Sequence, residues 1–310
     1  MKNKNILITG GLGFIGSHIV NELINENKVI IIDNLSTGNI NNLKNPTHEN
    51  LEIIKQDLRD VDFNKITSKI DYIFHLAAMA SVPLSMEKPI ECNDVNVNAT
   101  IKLLNYAAEN KVKKVIFSSS SAVYGQNENM PLKETEPLMP KSPYAASKAC
   151  CELYLKSFYD SYGLNYTALR YFNVFGPGQD KNSQYAAVIP NFISALLDNE
   201  QPEIYGDGEQ TRDFIYVKDI VNANINAAKS DYNGIVNVAS GEKLSINQLY
   251  EIIQKTLASD IQPKYLPERQ GDIRHSLADV SKMEKINYKV NSKDFVQQLK
   301  QTINWFKTVL

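Results

Sequence analysis

The sequence predicts an α/β protein of the Rossmann type: a doubly wound parallel sheet of about seven strands, with a smaller mixed α/β lobe towards the C-terminus. Short runs of β-branched and aliphatic residues alternate with helical patterns through the first half of the chain. These runs are apolar throughout, as in strands covered on both faces of a sheet. A glycine-rich turn also separates the first strand from the first helix, where such folds bind a dinucleotide.

Six candidate strands alternate with candidate helices in this first half. The strands are Ile6–Ile8, Val29–Ile32, Leu51–Lys55, Tyr72–Leu76, Val115–Phe117 and Asn165–Leu169. Apolar residues at helical spacing lie between them, at Ile15, Ile19, Leu23 and Ile24 and at Val97, Ile101, Leu104 and Ala108. Each set falls on one face of a helix, which can pack against the sheet.

The pattern changes after Asn173. Loop signals appear, Gly234–Ala239 resembles one more sheet strand, and three further helices are predicted. These helices are Val188–Leu197, Ile246–Leu257 and Phe295–Phe306. We therefore expect a Rossmann domain over residues 1–171, with a returning segment around 213–240, and a mainly substrate-binding lobe over residues 172–310.

Composition excludes several classes of function. The chain has 310 residues and a formal net charge of −2, so no basic face for nucleic acid is indicated. No window approaches the ~20 apolar residues of a membrane span, and the apolar run at Ile6 is too short for a signal peptide. Cys92, Cys150 and Cys151 fit neither a disulfide framework nor a metal site. We expect a cytoplasmic protein with no metal, no membrane partner and no nucleic-acid partner.

The turn after the first strand carries Gly10, Gly13 and Gly16. Glycines there let the backbone approach a pyrophosphate at a helix N-terminus, where free N–H groups favour an anion. Asp33 follows twenty residues after Gly13, at the end of the second strand. Its carboxylate can accept hydrogen bonds from ribose hydroxyls and repel a 2′-phosphate, which favours NAD over NADP. By itself Asp33 also fits a turn-forming role before Asn34.

Two further polar residues end neighbouring strands. Asp57 ends the third strand, where it can approach the adenine, and a capping role fits its spacing equally well. His75 ends the fourth strand and is followed by small residues that suit backbone lying against a cofactor. We expect His75 to be structural.

Tyr144 and Lys148 are four residues apart in a predicted helix that starts near Pro143. Positions i and i+4 share one face of a helix. A phenol titrates near ~10, and a neighbouring cation favours its phenolate, which makes Tyr144 a candidate base. The fifth strand ends in a serine run at residues 118–121, where a hydroxyl could bond both the phenol and a substrate oxygen. The alternative is a polar exit from strand to loop.

With these residues assembled, the chain resembles the extended short-chain dehydrogenases/reductases, and within them the UDP-glucose/UDP-N-acetylglucosamine 4-epimerases. The resemblance covers nearly the whole chain. Its marks are TGGLGFIG at 9–16, DNLSTG at 33–38, HLAA at 75–78, SSSSAVYG at 118–125, YAASK at 144–148, LRYFNVFGPGQ at 169–179, GDGEQTRDFIYVKD at 206–219 and RQGD at 269–272.

The resemblance implies a catalytic triad of Ser120, Tyr144 and Lys148 and a cofactor site for NAD. The cofactor residues it implies are Gly10, Gly13, Phe14, Ile15, Gly16, Asp33, Asn34, Ser36, Thr37, Gly38, Asp57, Leu58, Leu76, Ala77, Ala78, Asn96, Ser118, Tyr144, Lys148 and Phe172.

The resemblance also implies a UDP-sugar site. Asn173, Arg212 and Arg269 would hold the diphosphate and Asp272 would lie near the uridine, which suits guanidinium and amide chemistry. The alternative is that both arginines are solvated residues on the protein surface. The other implied substrate contacts are Ser81, Ser120, Tyr144, Val188 and Ser276. At Ser276 a small residue would leave room for an N-acetyl group, unless the register slips and places His275 or Leu277 there.

The activity implied is NAD-dependent C4 epimerisation of UDP-hexoses through a transient 4-keto intermediate. UDP-Glc/UDP-Gal and also UDP-GlcNAc/UDP-GalNAc are expected substrates, and a homodimer is expected from the resemblance alone. Ser121 and Ala122 stand where related dehydratases carry an acid pair, which argues against dehydration. The alternatives are a UDP-uronate 4-epimerase, a 4-reductase or a non-catalytic NAD-binding protein.

Overall fold

The computed structural model describes residues 1–180, 188–268, 273–290 and 294–309. Seven parallel strands form its central sheet, in the order β11-β6-β5-β4-β1-β2-β3. They are β1 (Asn5–Thr9), β2 (Lys28–Asp33), β3 (Leu51–Lys55), β4 (Tyr72–His75), β5 (Lys114–Ser120), β6 (Tyr166–Tyr171) and β11 (Gly234–Val238). The predicted fold class is confirmed.

Helices cover both faces of this sheet. They are α1 (Phe14–Leu23), α2 (Val82–Glu87), α3 (Pro89–Asn93), α4 (Ala99–Glu109), α5 (Pro143–Tyr162) and α7 (Val217–Lys229). In β1, Ile6 and Ile8 pack in a cluster with residues of α1 and α7, whereas Leu7 packs in a cluster with residues of α4 and α5. Alternate side chains of a strand point to opposite faces, so a strand buried on both sides is apolar throughout.

The second lobe contains short strands and three helices around a third apolar cluster. The helices are α6 (Val188–Leu197), α8 (Ile246–Leu257) and α9 (Phe295–Val309). The strands are β7 (Asn173–Phe175), β8 (Glu203–Tyr205), β9 (Thr211–Arg212), β10 (Phe214–Tyr216), β12 (Leu244–Ser245) and β13 (Lys264–Leu266), which pair as β7–β10, β8–β13 and β9–β12. The helices α6 and α8 have the predicted bounds.

Several elements differ from the predicted bounds at their ends, and two of the differences lie close to the site. β5 continues to Ser120 because Ser118, Ser119 and Ser120 pair with Leu169, Arg170 and Tyr171 of β6. The helix predicted around Val97 is interrupted by a π-helical turn over Asp94–Asn98, just before α4. The extension of β5 depends on pairing with a distant segment, and the π-helical turn is a local insertion in a helix. Neither feature produces a hydrophobic period in the sequence, so neither could be predicted from it.

The three cysteines are unpaired thiols, and Cys92 and Cys151 are buried. In the described part of the chain, no helix is long and apolar enough to cross a bilayer.

Candidate active site

A cavity of about 380 Å³ lies at the carboxyl ends of the sheet strands. The glycine-rich turn borders it on one side, and the first turns of α5 border it on the other. This edge of an open parallel sheet, where the strand order reverses beside β1, is where ligands bind in doubly wound folds.

The glycine-rich turn needs its glycines because it packs closely on its surroundings. Gly10 has a φ of +70°, and a Cβ there would lie 2.7 Å from the Ala77 nitrogen. A Cβ on Gly16 would lie 2.1 Å from the Gly10 carbonyl oxygen. Gly13 is the N-cap of α1 and brings no side chain to the helix terminus. The bare N-terminus of α1 therefore faces the cavity, as the pyrophosphate of NAD requires.

Asp33 lines this cavity and also braces the glycine-rich turn. Its Oδ2 accepts a hydrogen bond from the Leu12 N–H at 2.9 Å, and its Oδ1 accepts one from the Leu35 N–H at 2.8 Å. Asp33 therefore combines the two roles that the sequence left open, because it forms a turn and also faces the cofactor cavity.

The other two strand-end residues have local partners. Asp57 lines the cavity and accepts two hydrogen bonds from the Arg59 guanidinium, at 2.9 Å each, which hold its pKa well below the usual range. His75 is buried between the Thr9 and Thr100 hydroxyls, at 2.6 Å and 2.7 Å, and burial lowers its pKa to about 3. A neutral, fully bonded imidazole is structural, as expected.

Most of the predicted cofactor residues line the cavity together. They are Gly10, Gly13, Phe14, Ile15, Gly16, Asp33, Asn34, Ser36, Thr37, Asp57, Leu58, Leu76, Ala77, Ala78, Ser118, Tyr144, Lys148 and Phe172. The sequence reasoning missed Ile32, Gln56, Ala80, Val95, Ser119, Tyr171 and Val174, most of which adjoin predicted residues. The donors, acceptors and close backbone approach of this wall fit NAD.

Two predicted cofactor residues do not line this cavity. Gly38 borders a neighbouring depression and packs on Asp33, since a Cβ there would lie 2.7 Å from Asp33 Oδ1. Asn96 is buried in the π-helical turn. Its Oδ1 accepts a hydrogen bond from the Met79 N–H at 2.7 Å, and its Nδ2 donates to Ser147 Oγ at 2.8 Å. Asn96 therefore joins the loop after β4 to α5.

Tyr144 lies in the first turn of α5, and two serines fix its backbone. Ser142 is the N-cap and accepts from the Ala145 N–H at 3.1 Å, and Ser85 Oγ accepts from the Tyr144 N–H at 3.1 Å. Tyr144 and Ser120 line the same cavity. Burial raises the pKa of the phenol, and the neighbouring Ser120 side chain acts in the opposite direction.

Lys148 follows one turn later on the same face of α5. Its Nζ donates to the Ser118 carbonyl at 2.7 Å and lies 6.0 Å from the centre of the Tyr144 ring. Burial lowers its pKa to about 8, so the ammonium form persists at neutral pH. The structure thus brings the three predicted triad residues together, with a phenol beside both a hydroxyl and a buried cation.

A second cavity of about 300 Å³ adjoins the first, and Val174 lines both. Three of the residues predicted to contact substrate, Asn173, Val188 and Arg212, line it. Asn173 Nδ2 donates to the Asp213 carbonyl at 3.0 Å. An arginine and an amide on one wall can bind phosphate oxygens.

The remaining predicted substrate residues lie elsewhere. Ser81 lines neither of these two cavities, and its Oγ accepts from the Leu84 N–H at 3.2 Å as the N-cap of α2. Ser276 is buried and its backbone N–H donates to the Thr211 carbonyl at 3.1 Å, beside Arg212. Arg269 and Asp272 lie outside the described residues.

Residues 6–239 match the model of the NAD dependent epimerase/dehydratase family. The putative UDP-glucose 4-epimerase of Methanocaldococcus jannaschii is 41% identical over 306 residues, covering 97% of this chain and 98% of that protein. The structure of UDP-N-acetylglucosamine 4-epimerase from Methanobrevibacter ruminantium M1, in complex with UDP-N-acetylmuramic acid, is 62% identical with a TM-score of 0.99 and covers 100% of both chains. UDP-glucose 4-epimerase from Thermotoga maritima, with UDP-glucose, is 39% identical with a TM-score of 0.93, covering 98% of this chain and 99% of that one.

Proposed function

This chain belongs to the NAD dependent epimerase/dehydratase family, and we propose that it interconverts the C4 epimers of UDP-hexoses. The observation that carries the proposal is the grouping of Ser120, Tyr144 and Lys148 on one wall of the cofactor cavity, with Lys148 Nζ 6.0 Å from the centre of the Tyr144 ring. The adjoining cavity supports the proposal, because Asn173 and Arg212 line it and have the chemistry to hold a nucleotide diphosphate.

NAD, when bound, supplies a reversible hydride acceptor for the carbon at the 4-position. The chain's own residues supply the proton transfer. Tyr144 as phenolate takes the proton of the sugar 4-hydroxyl, and the Lys148 ammonium stabilises that phenolate by its charge. Ser120 bonds both the phenol and the sugar oxygen, which holds the oxygen against the base. Tyr144 then returns its proton to the same oxygen when C4 is reduced.

Inversion at C4 requires the 4-keto sugar to present its other face while the nucleotide stays bound. The division of the site into two adjoining cavities supports this requirement. Asn173 and Arg212 would hold the diphosphate in the second cavity, and the sugar would turn in the first, near Tyr144. The sugar therefore needs few fixed contacts, whereas the diphosphate needs strong ones.

We propose that both plain and N-acetylated UDP-hexoses are substrates. The protein from Methanobrevibacter ruminantium is named a UDP-N-acetylglucosamine 4-epimerase and holds UDP-N-acetylmuramic acid, so its site admits an acetamido group. Ser276 supports the same in this chain, because it is small and buried beside the β-strand that carries Arg212. His275, which a slip in register would put at this position, is exposed instead, and its Nδ1 contacts the Thr211 hydroxyl at 3.0 Å.

We further propose a homodimer formed through α4 and α5 of two copies. Leu153 and Tyr162 on α5 have exposed fractions of 64% and 67%, and Ile90 in α3 has one of 78%. The proposed interface would cover Leu153, a large apolar side chain on α5. Light scattering after size exclusion should give twice the chain mass, and Leu153→Asp should shift the protein towards the monomer.

A panel of UDP-sugars tests the activity directly. The purified protein is incubated with UDP-Glc, UDP-GlcNAc and UDP-glucuronate, and the C4 epimers are separated. We expect C4 epimers of the first two sugars without added NADH. Conversion of UDP-glucuronate alone would favour a uronate epimerase, and product formation that consumes NADH stoichiometrically would favour a reductase.

A further inference from the structure

Asp213 is a fully buried carboxylate between β9 and β10. Its Oδ1 accepts from the Ser240 N–H at 2.8 Å and from the Ser240 hydroxyl at 2.7 Å. Its Oδ2 accepts from the Gly241 N–H at 3.1 Å and from the Ala278 N–H at 3.2 Å. One side chain thus holds two segments that lie 27 and 65 residues further along the chain.

The backbone of Asp213 holds a third segment. Its carbonyl accepts from the Asn173 N–H at 3.1 Å and from Asn173 Nδ2 at 3.0 Å. The direction of the Asn173 amide in the second cavity therefore depends on where the Asp213 backbone lies.

The segment around Ser276 is attached to the same place. The Thr211 N–H donates to the Arg274 carbonyl at 3.0 Å, and the Ser276 N–H donates to the Thr211 carbonyl at 3.1 Å. Arg212 Nη1 donates to the Thr211 carbonyl at 3.0 Å, so this backbone also supports the guanidinium. Asp213 fastens the far end of the segment through Ala278.

We propose that Asp213 is a positioning residue that sets Asn173, Arg212 and the Ser276 segment in one mutual arrangement, and thereby the affinity for the UDP-sugar. It lies behind the wall of the second cavity and acts through the residues that it holds. Four hydrogen bonds in a buried site fix the carboxylate, and losing them would leave backbone N–H groups unpartnered and free the segment at Ala278. The proposal rests on the proposed function only for the identity of the ligand.

Asp213→Asn tests this role, because it keeps the shape and replaces one acceptor oxygen by a donor. We expect KM for the UDP-sugar, and Kd for UDP itself in a direct titration, to rise about tenfold, as loss of a buried hydrogen bond implies. kcat should change less than about threefold, and the NAD content of the purified protein should stay unchanged.

Asp219→Asn is the matched control. Asp219 is a half-buried carboxylate in the same motif, but it accepts from the Tyr288 hydroxyl at 2.6 Å and from Gln298 Nε2 at 3.3 Å. We expect this variant to keep wild-type KM and wild-type Kd for UDP. An equal rise in both variants would show a merely structural effect and overturn the proposal.

Two further measurements keep the outcome decisive. If Asp213→Asn does not fold, Asp213→Glu carries the test, since it keeps the acceptors and changes only their reach, and an unchanged Kd for UDP would overturn the proposal. If the wild type epimerises no UDP-sugar, the proposed function fails, whereas the Kd for UDP in the two variants still decides the role of Asp213.

Discussion

Glu152 and Arg170 form a buried bidentate ion pair directly beneath the candidate triad. The two N···O distances are 2.9 Å and 2.6 Å, and both side chains are 2% exposed. Ser119 Oγ donates to Glu152 Oε1 at 2.6 Å. Glu152 follows Lys148 by one helical turn on α5, and Ser119 adjoins Ser120 in β5. The pair therefore joins the helix that carries the phenol and the lysine to the strand that carries the serine.

Breaking this pair should be costly. Glu152→Gln leaves the Arg170 guanidinium buried without its anion, and we expect a loss of about 3–5 kcal/mol in the free energy of unfolding. Urea titration measures it. The control is Asp160→Asn, which removes an exposed pair with Lys156 on the same helix and should cost less than about 1 kcal/mol. Equal effects in the two variants would contradict the bracing role of Glu152.

Removing the phenol oxygen should abolish most of the turnover. Tyr144→Phe keeps the ring but loses the group that exchanges the proton, so we expect kcat to fall at least ~10²-fold while NAD remains bound. Tyr159→Phe, an exposed tyrosine on the same helix, serves as the control. Near-normal turnover in Tyr144→Phe would refute the assignment of the base.

The cofactor preference should follow from Asp33. Its carboxylate faces the cavity and would repel a 2′-phosphate, so a direct titration should show tighter binding of NAD than of NADP. Asp33→Asn should narrow that preference, and it should also weaken binding of both cofactors, because the bond to the Leu12 N–H braces the glycine-rich turn. Tighter binding of NADP by the wild type would overturn this interpretation.

Bulk at Ser276 should separate the two sugar classes. Ser276→Tyr adds a large ring beside the β-strand of Arg212, and we expect activity on UDP-GlcNAc and UDP-GalNAc to be lost while UDP-Glc and UDP-Gal are still converted. Paired assays of wild type and variant measure both. Equal loss on both substrate pairs would show a general disturbance of the Ser276 segment. Absence of wild-type activity on UDP-GlcNAc would exclude the proposal that Ser276 leaves room for an N-acetyl group.

Acid should destabilise the protein partly through His75. Burial lowers the pKa of His75 to about 3. Below about pH 6.5 His75 is therefore protonated in the unfolded chain, whereas in the native chain it stays neutral until the pH nears 3. This contribution to stability is complete above pH 6.5 and is lost as the pH falls, by about 2 kcal/mol at pH 5. Unfolding free energies at pH 7 and pH 5 should differ less in His75→Gln than in the wild type or in His275→Gln, an exposed control. If the unfolding free energies of His75→Gln at pH 7 and pH 5 differ as much as those of the wild type, His75 is not the buried neutral group responsible.

Local patterns in the sequence determined much of this molecule. Strand β3 and helices α6 and α8 have the predicted bounds, because an apolar run or a helical period needs only neighbouring residues. The spacing of Tyr144 and Lys148 likewise follows from one helix, and the glycine-rich turn follows from one connection between strand and helix.

Tertiary structure decided what depends on distant segments. Pairing with β6 extended β5 to Ser120, and the π-helical turn directed Asn96 to Met79 and Ser147, away from the cofactor cavity. The carboxylate of Asp213 accepts a hydrogen bond from Ala278, 65 residues away in the chain, and no local pattern in the sequence predicts this contact. A sequence displays which faces are apolar and which residues lie one turn apart. Which buried polar groups find each other is decided only when the packed core excludes water and each donor must take a partner.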